Sequence, residues 1–305
     1  MKNFADRILT EIIEKKSCVV VGLDPRPKNL PDELKDSLLK TKKVSFADMA
    51  IAYLEFNKQI IDAIAPYAPA VKPQSAFYEA LGYEGIKALQ ATIRYAGQKG
   101  LIVIADVKRS DVPSTAAAYS NAYIGETALG TDSEPAFGAD ALTVNPYMGA
   151  DSVKPFIDDA KKFGKGVFVL VKTSNKGSGD LQDIQTPSGK IYEITARNVA
   201  EAGNELIGEK GYSSLGAVVG ATYPDEAKTL RKLMPRNIFL VPGYGAQGAD
   251  AQMVKNCFNP DGFGALIVAA RSIIFAYEKD ADYPKKNTWQ ESVRNALIKM
   301  NRELL

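Results

Sequence analysis

The chain has 305 residues, 46% of them hydrophobic and 24% charged, the make-up of a globule with a sizeable core. Its formal net charge of +2 gives no basic field of the kind nucleic acid requires, and no apolar run approaches the roughly 18–20 residues of a membrane span. Histidine is absent, which removes Ser-His-Asp and Cys-His nucleophile systems and the commonest metal ligand, leaving proton transfer to carboxylates, lysines, tyrosines or water.

The N-terminus, Met1 to Lys16, carries Phe4, Ile8, Leu9, Ile12 and Ile13 at helical spacing among charges, without an uninterrupted apolar core. It reads as a docking helix, not a signal peptide. Cys18 to Asp24 is the first strand, followed by the turn residues Pro25 and Pro27. A polar loop leads to a helix over Phe46 to Ala65. Ala70-Val71-Lys72 is a short second strand, and a helix after Pro73-Gln74-Ser75 runs through Gln98. The third strand starts at Leu101, and Thr115 to Leu129 is its helix. Ala139 to Val144 is the fourth strand, ending at Asn145-Pro146. Gly166 to Lys172 is the fifth, opening into Thr173-Ser174-Asn175 and a Gly- and Ser-rich loop. A helix follows over Ile191 to Ile207. Gly216 to Val219 is the sixth strand, with Pro224 opening a helix, and Asn237 to Val241 is the seventh. Ala265 to Ala270 is the eighth strand, and a helix over Trp289 to Leu304 ends the series. The two cysteines, Cys18 and Cys257, cannot build a disulfide framework or a zinc cluster and fit buried thiols of a cytoplasmic protein.

Eight alternations of strand and helix predict a parallel sheet closed into a (β/α)8 TIM barrel. No linker or composition break splits the chain, so one domain is expected, with insertions near 28–45, 124–138 and 175–190. Such barrels collect function at the C-terminal ends of their strands. Asp24, Lys72, Asp106, Lys108, Ser174, Gln247 and Arg271 all fall there.

The stretch Leu101 to Asp111 carries the sharpest signal. It begins as the apolar run of a strand buried on both faces and ends in charge. Asp106 and Lys108 sit two apart, so a regular strand would point both to one face. Asp111 follows in the loop before a helix that Pro113 can open. Such charges are costly to hold at the mouth of an apolar strand unless paired, so the stretch is either a structural ion pair or a site. Two later loops suggest phosphate binding. Pro242 to Gly248 is a glycine-rich turn able to bring backbone N–H groups, that of Gly245 among them, close to an anion. Arg271 follows the last strand at the start of a helix, where its fork of donors and the helix N-terminus both favour phosphate.

These residues resemble the orotidine 5′-phosphate decarboxylase family, in particular its longer bacterial-type subfamily. The run Asp106-Val107-Lys108-Arg109-Ser110-Asp111 matches the family's Asp-x-Lys-x-x-Asp, with Val112-Pro113 and Thr115 continuing it. Val71 to Glu79 looks like the subfamily's second-strand signature, and Val241 to Gly248 like its phosphate loop. The resemblance implies a catalytic array of Lys72, Asp106, Lys108 and Asp111 acting on a carboxylated pyrimidine nucleotide, with no cofactor and no metal. It makes Lys108 the acid that protonates C6 as carbon dioxide leaves. It places Asp106 near the substrate carboxylate, Asp24, Lys72 and Asp111 on the ribose, Ser174 on the pyrimidine, and Gln247 and Arg271 on the phosphate. It also implies a homodimer in which Asp111 and Thr115 reach into the partner's site.

Three other readings remain open on the residues. A magnesium-dependent sugar-phosphate decarboxylase or aldolase of the same suprafamily shares Asp-x-Lys-x-x-Asp, but carries a metal-binding glutamate where this chain has Lys72. A Schiff-base aldolase could use Lys72, Lys108 or Lys172. A barrel that binds nucleotides without turnover is the third.

Overall fold

Each of the short apolar runs becomes a strand buried along nearly its whole length. The computed structural model describes residues 2–39, 43–245 and 250–304. The barrel strands are β1 (Val19–Leu23), β2 (Ala70–Pro73), β3 (Ile102–Arg109), β4 (Ala141–Val144), β5 (Gly166–Lys172), β6 (Ser213–Val219), β7 (Asn237–Val241) and β8 (Ala265–Ala269). Every strand pairs in parallel with its neighbours in the chain, and β8 pairs with β1 to close an eight-stranded barrel.

Strand alternation sorts the core into two layers. Val20, Ala70, Ile102, Ile104, Ala141, Phe168, Val218, Leu240 and Val268 fill the inside. The residues between them, such as Val19, Val21, Val71, Val103, Leu142 and Val169, face outward to the helices. The lower end of the barrel is plugged by the helix Phe4–Lys15, whose Phe4, Ala5, Ile8 and Leu9 are buried. Phe4 meets Phe168 edge-on, with ring centroids 5.8 Å apart. A Cβ at Gly166 would fall 2.5 Å from the Phe4 ring, so the bare backbone there is what lets the plug seat. The docking helix is therefore as expected, except that Ile13 is exposed.

The long helix Phe46–Ile64 follows the predicted span and is started by a capping box. Asp48 N–H donates to the Ser45 hydroxyl, and the Asp48 carboxylate accepts from Ser45 N–H. Four local expectations need correction. The helix predicted over Thr115 to Leu129 spans only Pro113–Tyr123; Thr127–Leu129 turns back as a hairpin with Asp132–Glu134. The helix expected through Gln98 is broken into Ser75–Glu79 and Gly82–Gln98, where Gly82 takes φ +62°. The helix from Ile191 ends at Gly203 and tightens into a 3-10 turn over Asn204–Leu206. The insertion near 28–45 is not simply loop but includes the helix Asp32–Leu38. Among the described residues no helix is long and apolar enough to cross a membrane.

Candidate active site

The upper end of the barrel opens into a cavity of about 640 Å³, ample for a nucleotide-sized ligand. Its apolar floor is made by Leu170, Val218, Leu240 and Val268, one inward side chain from each of β5 to β8. Opposite them the inner faces of β2 and β3 turn polar. Alternation carries Ala70 to Lys72 on β2, and Ile102 through Ile104 to Asp106 on β3. Lys72 and Asp106 are each 6% exposed.

Asp106 is the centre of the charged array. Lys108 Nζ donates to its Oδ1 at 2.5 Å and Lys72 Nζ to its Oδ2 at 2.5 Å. Thr143 Oγ1 also donates to Oδ1, at 3.0 Å, and Gln74 Nε2 to Oδ2, at 2.9 Å. Four donors match the lone-pair capacity of an ionised carboxylate. Burial alone would raise the Asp106 pKa, but the two ammonium groups outweigh it and hold the carboxyl well below the usual range. Burial likewise works to lower Lys72, and the charges of Asp106 and Asp24 overcome it and raise the lysine. Both partners are thus held charged. Because the folded Asp106 titrates below an unfolded aspartate, it stabilises the fold above pH ~4, and that contribution fades as the pH falls below this range. In Asp106→Asn the acid limb of a stability-against-pH curve should flatten; an unaltered limb would show that other carboxylates govern it.

Lys108 reaches Asp106 by a route that simple alternation misses. The register of β3 against β4 shifts between Ala105 and Arg109, and Lys108 takes φ +44°, a left-handed conformation rare for a residue with a side chain. The bend turns the half-exposed Lys108 ammonium back over the cavity.

Asp24, at the end of β1, lines the cavity with a buried Oδ1 that has no protein partner. Burial raises its pKa and Asp106 adds to this, against the pull of Lys72. An orphaned acceptor of this kind suits a ligand hydroxyl. Ser174 lies in the opposite wall with Thr173 and Asn175. This wall is pinned from behind. Lys172, fully buried, donates to both carboxylate oxygens of Asp183 at 2.8 and 2.9 Å, and Gln182 holds Thr173 through its N–H and its hydroxyl. A Cβ at Gly220 would fall 2.8 Å from Ser174 Cα, so glycine lets the end of β6 close against this wall. Lys172 is absent from the cavity lining and engaged by Asp183, which leaves a Schiff base there without support.

Pro242, Gly243, Tyr244 and Arg271 complete the rim. The helix that Arg271 opens is only four residues long, so the expected help from a helix N-terminus is withdrawn and the guanidinium itself is what that side offers an anion. Gly245 is exposed and outside the lining, and Gln247 lies outside the described residues. Asp111 and Thr115 do not line the cavity of their own chain; the Asp111 carboxylate accepts from Val112 N–H at 2.8 Å, and Thr115 is exposed. The sequence reading assigned no role to Thr143 or Gln74, both of which bond Asp106. A polar residue at an inward position of β4 was the available signal for the first, and two-residue spacing from Lys72 for the second.

The family described as Orotidine 5′-phosphate decarboxylase / HUMPS matches residues 17–285. The chain belongs to that family. It is 44% identical to the orotidine 5′-phosphate decarboxylase of Rhodopirellula baltica over 306 aligned positions, covering 100% of this chain and 99% of the relative. It is similar to the structure of Leishmania donovani OMP decarboxylase, with 30% identity and a TM-score of 0.72, covering 98% of this chain and 99% of that one. It also matches the structure of Leishmania donovani UMP synthase, with 32% identity and a TM-score of 0.76, and there it covers 100% of itself but 56% of the longer chain. In this family's terms, the cavity over the β2 and β3 charges is the candidate active site.

Proposed function

We propose that this chain is a carboxy-lyase that converts orotidine 5′-phosphate to uridine 5′-monophosphate and carbon dioxide, by direct decarboxylation without metal or cofactor. The observation that carries the reading is the Lys72–Asp106–Lys108 array facing an apolar floor, in a barrel of this family. When the C6–carboxylate bond breaks, its electron pair stays on C6 in the plane of the ring, where no π-system can receive it. A preorganised ammonium stabilises that charge directly in a site that excludes water. Lys108 Nζ is the group for this task and then delivers its proton to C6, while Asp106 sits beside the departing carboxylate. Lys72 holds Asp106 ionised, and Asp24 takes a ribose hydroxyl with its free Oδ1. Ser174 contacts the pyrimidine, and Arg271, with Gly245 and Gln247 of the β7 loop, takes the phosphate. Lys72 stands at the end of β2, where metal-using relatives carry a glutamate.

The active form in this reading is a homodimer in which Asp111 and Thr115 complete the partner's site. Their place outside their own cavity supports it, as do exposed apolar side chains on the same rim: Val112 after β3 and Tyr147 and Met148 after β4. The ends of these two strands adjoin, since Asn145 N–H donates to the Arg109 carbonyl. A cytoplasmic location accords with the free cysteines.

The deciding experiment follows ultraviolet absorbance of orotidine 5′-phosphate with purified protein in excess EDTA. Conversion to uridine 5′-monophosphate is expected. Its failure, with activity on a sugar phosphate once magnesium is added, would overturn the reading. Arg271→Ala should weaken phosphate-bearing ligands by about 1.5–3 kcal/mol, the worth of a hydrogen bond to a charged group, and leave the dephosphorylated nucleoside little affected. Equal losses for both ligands, measured by calorimetry, would remove Arg271 from the phosphate site.

A further inference from the structure

Thr143 lies on the inner face of β4, 1% exposed, beneath the bend that carries Lys108. Its hydroxyl oxygen accepts the N–H of Val107 at 3.0 Å and the N–H of Lys108 at 2.9 Å. In a regular strand successive N–H groups point to opposite sides, so their convergence on one oxygen marks the bend itself. Successive N–H groups in a left-handed bend form a concavity that ordinarily draws an anion. Here a neutral hydroxyl fills it. A threonine hydroxyl has two lone pairs and one proton. With both lone pairs committed to the β3 backbone, the proton is directed to Asp106 Oδ1, 3.0 Å away, the oxygen that also receives Lys108 Nζ.

We infer that Thr143 is a positioning residue for proton delivery: it fixes the Lys108 backbone in its left-handed conformation and, through Asp106, fixes the direction of the Lys108 ammonium. The inference rests on the decarboxylase reading above. The same lysine is held at both ends, its N–H on Thr143 Oγ1 and its ammonium on the Asp106 oxygen that Thr143 also holds. A left-handed lysine persists only where its surroundings over-determine it, and this closed circuit does so.

The test pairs Thr143→Val, which keeps the shape and removes the hydroxyl, with Thr143→Ser, which keeps the hydroxyl. Thr143→Val should lower kcat by about a hundredfold, the scale of an ångström-sized displacement of a reacting group, with KM and uridine 5′-monophosphate affinity little changed. Thr143→Ser should recover most of the lost kcat. A near-normal kcat in Thr143→Val, a Thr143→Ser as impaired as the valine variant, or nucleotide affinity falling in step with kcat would each overturn the proposal. If the valine variant does not fold, Thr143→Ala carries the same comparison. Crystal structures of the hydroxyl-free variant and of Thr143→Ser separate this inference from the activity. Lys108 should leave the left-handed region only without the hydroxyl, whether or not the unsubstituted chain decarboxylates orotidine 5′-phosphate. Lys108 unmoved in the hydroxyl-free variant would sink the positioning role even in an active enzyme.

Discussion

Lys108→Ala should lower turnover of orotidine 5′-phosphate by on the order of 10⁴-fold or more, while uridine 5′-monophosphate still binds. The size follows from two roles lost together, since a positioned general acid is worth about 10²–10⁴-fold and electrostatic stabilisation at the reacting atom a further 10²–10³-fold. Binding should survive because the apolar floor, Asp24, Ser174 and Arg271 are untouched. The fold should survive too. Lys108 is half-exposed, and its removal leaves Asp106 with Lys72, Gln74 and Thr143. Removing Lys72 is a different case, because it takes from buried Asp106 its fully buried counter-charge and leaves the half-exposed Lys108 ammonium to balance it. Single-turnover absorbance and calorimetric titration with the product would measure the two effects separately. Turnover near that of the unsubstituted chain would take the proton-donor role away from Lys108. A parallel loss of product binding would make the lysine a binding group.

The barrel was legible because its strands are buried on both faces. Runs such as Cys18 to Leu23 and Gly166 to Val171 are continuously apolar, and each ends in a charge or a turn residue. What sequence periodicity could not resolve was the local geometry of the connections. Thr127–Leu129 continues the composition of the preceding helix, yet is exposed and pairs with Asp132–Glu134, a contact decided by the turn at Gly130 with φ +70°. The β5 loop read as a Gly- and Ser-rich insertion, and its composition gave no sign that a buried lysine and Gln182 tie it down. Such ties join residues that carry no period.

Five of the charged residues expected in the site line one cavity: Asp24, Lys72, Asp106, Lys108 and Arg271. For Lys72 and Asp106 the alternation argument was sufficient. For Lys108 it predicted the right neighbour by the wrong path, because the chain leaves regular strand geometry at that residue and bends back. A bend of this kind has no composition signature apart from glycine, and here the residue is lysine, so its cause, the hydroxyl of Thr143, had to come from another strand. Asp111 and Thr115 are a different case. Both sit beside the array in sequence and outside the cavity in space, as shared sites would require.

That arrangement makes a quantitative expectation for mixed chains. Lys108→Ala and Asp111→Ala should each be nearly inactive as homodimers. In the proposed dimer each site takes Lys108 from one chain and Asp111 from its partner, so in a heterodimer one site combines both substitutions and the other has neither. Equal amounts of the two chains, reassorted at random, place half the molecules in heterodimers with one intact site each. Activity should therefore return to about a quarter of the unsubstituted level under the two-fold symmetry of such a dimer. Reassortment is checked independently by differently tagged chains, and activity is read by absorbance as before. Proven heterodimers without recovered activity would mean that Asp111 serves the site of its own chain, by a movement of the loop before Pro113. Recovery would show that two copies are needed to build one complete site.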